Sequence, residues 1–168
     1  RRPPRSTLDR SSAASDVYKR QVLLRVIKKG FKTSPNNMHE LQPMVFQANR
    51  TVVVSGKDIS YYELIHGRPL QLNIDGPKTL RILSRLLFNS EMGTKESFRI
   101  RVKSGKKVLG TFHMSTERSS DSRVKDQPDK VPGKWRTCEV MISAGEQVVS
   151  IELVEKEKSV LTRFQEYK

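Results

Sequence analysis

Phe98, Ile100 and Val102 alternate with Arg99, Arg101 and Lys103, and the run ends at Ser104-Gly105-Lys106. A period of two puts three apolar side chains on one face and three cations on the other, which a strand achieves and a helix does not. Gly105 allows a tight reversal, so Lys107 to Met114 is expected to return as the second arm of a hairpin, with Val108, Gly110, Phe112 and Met114 on one face. A lone two-stranded ribbon is barely stable in water. More strands must therefore cover its apolar side.

The rest of the chain supplies them. Arg50 to Ser55 is β-branched and stops at Gly56, and Tyr61 to His66 is closed by Gly67-Arg68-Pro69. Leu70, Leu72 and Ile74 alternate with Gln71 and Asn73 up to Asp75-Gly76-Pro77, which reads as a turn. Thr79 to Phe88 fits helical and strand spacing alike, and the closeness of its flanking turns favours a strand. Cys138, Val140 and Ile142 share a face, Ser143-Ala144-Gly145-Glu146 turns, and Val149, Ile151 and Leu153 follow. Val160 to Tyr167 reads as a last strand or a short terminal helix, Val22 to Lys29 as a short strand or the tail of an element whose beginning is missing, and Ser34 to Asn37 as a turn cluster. Thr116 to Lys134 has only Val124 and Val131 as apolar residues besides prolines, so a mobile polar loop is expected there. The fold expected from these signals is all-β: an antiparallel β-sandwich of jelly-roll type, with about eight strands.

Residues 1–21 are set apart. Their string, ending Ser-Ala-Ala-Ser-Asp-Val-Tyr-Lys-Arg-Gln, resembles a translated sequencing adaptor and is polar throughout. The reading takes it as a non-native, disordered segment and residues 22–168 as one domain. The chain begins without Met, so the native N-terminus is expected to lie upstream. The segment carries +4 of the formal +14 charge, leaving +10 on the remaining 147 residues. That balance invites an anionic partner, although the charges are spread along the strands rather than gathered in one block. No apolar run is long enough to span a membrane, and a single cysteine allows no disulfide within the chain.

Candidate chemistry is sparse. His39, His66 and His113 are far apart in sequence, and a metal site would need a carboxylate such as Glu63 or Asp75 beside two of them. Cys138 lies between apolar neighbours, where a buried, inert thiol is expected. No Gly-rich loop precedes a helix, and no nucleophile elbow surrounds a serine. The expectation is therefore no catalytic residue, no metal and no cofactor. Two binding surfaces remain. Arg81, Arg85, Arg99, Arg101 and Lys103 would line one sheet face if their strands were neighbours, and such an array forks onto phosphates, sulfates or carboxylates. Tyr61, Tyr62 and Trp135 would instead form an aromatic platform for a glycan, although the only Trp of a sandwich is preferred as its core anchor.

Leu70–Arg85, Phe98–Thr111 and Pro132–Leu153, with the Asp75-Gly76-Pro77 turn, the Ser104-Gly105-Lys106 hairpin and Pro132-Gly133 before Trp135, resemble the non-catalytic β-sandwich accessory modules of bacterial envelope and secreted proteins. The resemblance implies a binding or interaction module of a larger or exported protein, outside the cytoplasm, with a protein or glycan partner. The alternative is a basic domain for nucleic acid or another anionic polymer. A hydrolase on a jelly-roll scaffold is the third class.

Overall fold

The computed structural model of the protein describes residues 37–168. The readings of residues 1–21 and of Val22 to Lys29, and the turn cluster as far as Asn36, lie outside the described residues.

Among the described residues there are ten strands and no α-helix. They are β1 (His39–Leu41), β2 (Asn49–Val54), β3 (Lys57–Ile65), β4 (Leu70–Phe88), β5 (Lys95–Ser104), β6 (Lys107–Glu117), β7 (Ser122–Val124), β8 (Val131–Pro132), β9 (Arg136–Leu153) and β10 (Ser159–Tyr167). All pairings are antiparallel, in the order β6-β5-β9-β4-β10-β3-β2-β7. β1 continues along β10 beyond β3, and β8 pairs with the end of β4.

The long ribbon of β4 and β9 determines the architecture. Its register slips between Gly76 and Lys78, where Gly76 faces Gly145. Before this corner, Leu70 and Leu72 pair with Ile151 and Val149, and β5 lies along the far edge of β9. Beyond it, Leu80 and Ile82 pair with Val140 and Cys138, and β10 lies along the far edge of β4. Yet Leu70, Leu72 and Ile74 share one core with Leu80, Ile82, Phe98, Ile100, Val160 and Phe164. The ribbon is therefore folded back on itself, and its two halves belong to facing layers. A strand that switches layers at a bulge is how a sandwich turns a corner. The result is the jelly-roll-like antiparallel sandwich. Each fully buried Leu, Ile or Phe in it contributes about 1.5–3 kcal/mol relative to exposure.

Two expectations change, and two segments resolve as strands. Asp75-Gly76-Pro77 and Ser143 to Glu146 are not chain reversals; both strands run through them as the corner. The two ambiguous segments, Thr79 to Phe88 and Val160 to Tyr167, are strands in β4 and β10. Thr116 to Lys134 is not a bare loop. It carries β7 and β8, and it lays Val124 on Val52, Tyr61, Leu87 and Leu161 to make a second core outside the sheet. Backbone bonds from Lys125 N to Thr51 O and from Gly133 N to Leu86 O fasten it there. This polar segment buries one valine because it covers a sheet face rather than lining the main core. Beyond the cover that face is exposed at Glu139 and Met141, half-buried across its middle and buried at Tyr167.

Candidate functional site

On β9, Cys138, Val140 and Ile142 are buried, so strand alternation turns Thr137, Glu139 and Met141 outward. Their partners on β4 are Leu83, Arg81 and Thr79, and the next partners on β10 are Arg163, Gln165 and Tyr167. Trp135 stands one step before β9 and is 53% exposed, and Met141 at the other end is 84% exposed. Counting back from Cys138 in steps of two puts position 136 inside and position 135 outside. The strand pattern thus carried the signal for an exposed Trp135, and the preference for a core tryptophan is corrected.

Charges on this face are only partly matched. Arg163 donates from Nε and Nη2 to Glu40 Oε1 at 3.0 and 2.8 Å, and its guanidinium lies 5.8 Å from the Tyr61 ring centre. Arg81 Nε is 3.8 Å from Glu139 Oε1, an ion-pair contact beyond hydrogen-bond reach. Burial and the adjacent Glu139 carboxylate push the Tyr167 phenol above its ordinary value. Thr137, Glu139, Arg163 and Gln165 were not singled out in the sequence. Nothing local marks them, because only the β9-β4-β10 register brings them together.

The arginine array does not assemble. β9 lies between β4 and β5, with Arg81 opposite Glu139 near one end and Arg101 opposite Glu152 near the other. Arg85 is only 6% exposed. It donates to the Tyr61 hydroxyl from Nε at 3.2 Å, and from Nη1 to Ser122 Oγ at 3.3 Å and Gly133 O at 2.9 Å. It is a fastening of the 116–134 segment and is closed to a ligand. Arg99 gives its backbone N–H and Nε to Glu155, both at 2.7 Å, and Lys103 Nζ is 2.7 Å from Glu152 Oε1. Arg101 is half-buried, between Glu152 and Thr111.

The aromatic trio is also split. Tyr61 is buried in the second core, and Tyr62 packs on the inner side against Phe46 edge-on at 5.1 Å and Phe164 at 6.5 Å. Trp135 alone of the three is open to solvent.

Cys138 is buried, and desolvation, then the Glu139 charge, push its thiol up to about 12. A thiol so held is not a nucleophile near neutral pH. His39, His66 and His113 lie on β1, the β3–β4 turn and β6, and His66 Nδ1 is 3.1 Å from Leu153 O. Among the described residues no three His, Cys, Asp or Glu side chains are grouped to hold a metal ion, and no helix is long and apolar enough to cross a membrane.

No protein-family model and no curated protein sequence matches the chain. Similar solved structures include the CBM36-1 domain of a multidomain xylanase from the hindgut metagenome of Trinervitermes trinervoides, at 11% identity and a TM-score of 0.46, over 79% of this chain and 97% of that one. Another is the C-terminal CBM6 of a marine laminarinase from Zobellia galactanivorans, at 9% identity and a TM-score of 0.43, over 79% of this chain and 100% of that one. A third is a carbohydrate-binding module of Cellvibrio mixtus lichenase 5A in complex with cellotriose, at 13% identity and a TM-score of 0.43, over 79% of this chain and 98% of that one. At these identities and TM-scores the likenesses assign neither family nor ligand to this chain.

Proposed function

We propose that the domain is a non-catalytic binding module that holds a polysaccharide on the outer β9-β4-β10 face. The observation that carries this reading is Trp135, the only tryptophan of the sequence, 53% exposed one step before β9. Leaving the only tryptophan in water forgoes a large hydrophobic gain. A flat ring on rigid strands returns that loss by stacking on the apolar face of a sugar, while Thr137, Glu139, Arg163 and Gln165 stand nearby to take its hydroxyls. A shallow outer face suits a polymer that is gripped and not cleaved.

The test uses the full chain in affinity electrophoresis through gels of soluble polysaccharides. At least one polymer should retard it, and Trp135→Ala should weaken that retention about tenfold or more, as loss of a central aromatic anchor does, with an unchanged unfolding midpoint. Trp135 is the only tryptophan, so its fluorescence should become shielded from acrylamide when the polymer binds. Retention that survives Trp135→Ala, or no retention by any polymer, sinks the reading.

A further inference from the structure

Arg81 sits in the middle of this face with its hydrogen-bonding capacity largely unspent. Its Nε is buried and has no hydrogen-bond partner among the described residues. Its Nη1 meets only the Met38 sulfur, at 3.7 Å, a weak acceptor. The nearest carboxylate oxygen, Glu139 Oε1, stays 3.8 Å from Nε, and that carboxylate also faces Tyr167. Other arginines of the sheet differ. Arg163 spends two nitrogens on Glu40, Arg99 places Nε on Glu155, and Arg85 makes three bonds inside the protein. A buried donor left unmet destabilises the fold, and no contact among the described residues compensates at Arg81. The side chain as a whole is 25% exposed on the proposed binding face.

Resting on the polysaccharide reading above, we infer that the ligand is an acidic polysaccharide whose ring-borne oxyanion, a carboxylate or a sulfate, docks on Arg81. The register supplies the spacing. Arg81 lies opposite Glu139, four residues along the strand from Trp135, or about 13 Å at the rise of a β-strand. Half-buried Leu83 and Thr137 lie between them. A sugar stacked on Trp135 therefore leaves a later residue of the same chain over Arg81. There the guanidinium offers planar, forked donors matched to an oxyanion, which displaces only a thioether. A neutral sugar would leave the guanidinium with only its long contact to Glu139.

The experiment compares four probes with the full chain: polygalacturonate, its fully methyl-esterified form, sulfated dextran and unmodified dextran. Polygalacturonate or sulfated dextran should bind more tightly than its uncharged counterpart. Which of the two does so separates a carboxylate from a sulfate ligand. Arg81→Met should weaken that binding about tenfold, the loss expected for a charge-assisted bond, without lowering the unfolding midpoint. Arg101→Met, on the other layer, should leave it unchanged. Equal losses for Arg81→Met and Arg101→Met would reduce the effect to bulk charge and overturn the inference. Binding that prefers the uncharged polymers, and needs Trp135 but not Arg81, overturns the inference and leaves the polysaccharide reading standing. Binding to none of the four, while another neutral polymer is retained through Trp135, does the same.

Discussion

Gly76 on β4 faces Gly145 on β9, and a Cβ added to Gly76 would overlap the backbone carbonyl of Ser143. The overlap is with main chain, which cannot swing away as a side-chain tip does. Gly76→Ala should cost about 3 kcal/mol, at the upper end for overpacking. Gly145 has φ +95° but open space around its Cβ position, so Gly145→Ala should cost only the backbone strain of about 1–2 kcal/mol. Urea unfolding of the two variants checks the difference. Equal losses would mean that the corner is not set by close approach at Gly76.

Arg85 ties the 116–134 segment to the sheet through Tyr61, Ser122 and Gly133. Arg85→Met should destabilise the protein by about 2–4 kcal/mol, and Tyr61→Phe by about 1 kcal/mol. Limited trypsin digestion should then cut earlier at Lys125 or Lys130 in Arg85→Met than in the parent. A segment cut equally fast in both would not be held by this arginine.

Burial raises the Glu63 carboxyl, but bonds from the Ser159 hydroxyl and from Arg50, at 2.7 and 2.9 Å, outweigh it and hold the group below its ordinary 4.5. A carboxylate depressed on folding stabilises fully above its unfolded value, and that contribution is lost as pH falls through the lower, folded one. Glu63→Gln should therefore be less stable than the parent by about 1 kcal/mol near neutral pH. The gap should close as the solution is acidified below pH 4.5. Denaturant midpoints of both proteins along a pH series decide it. A gap that widens in acid would reverse the sign.

The Cys138 thiol, pushed up to about 12 by burial and then by Glu139, should resist a disulfide reagent in the native protein and react at once in denaturant. Its labelling rate would then report opening of the main core. Prompt native labelling would place Cys138 at the surface.

The strands were legible wherever one side faces the main core. Phe98, Ile100 and Val102 are buried as their alternation requires, and the Gly105 hairpin forms where the turn residues stand. What was not legible depends on pairing. Asp75-Gly76-Pro77 and Ser143 to Glu146 each carry turn chemistry, but only their mutual register reveals a shared corner. Val124 sits alone in a polar run, so its burial against Val52 and Leu161 leaves no periodic trace. The alternation on β4 correctly put Arg81 and Arg85 on one face. It could not tell that the 116–134 segment covers one and spares the other.

β10, the last strand in the sequence, lies between β4 and β3 in the middle of its layer. During synthesis, therefore, β4 and β3 leave the ribosome long before the strand that separates them. Until residues 159–167 arrive, that layer has a slot flanked by two unsatisfied backbone edges, and the core side chains Val160 and Phe164 are missing. The nascent chain must keep this slot from pairing with a neighbour, a hazard common to exposed strand edges. A chain stopped before residue 159 would lack the wedge of the layer, and the product should aggregate rather than fold with a frayed margin.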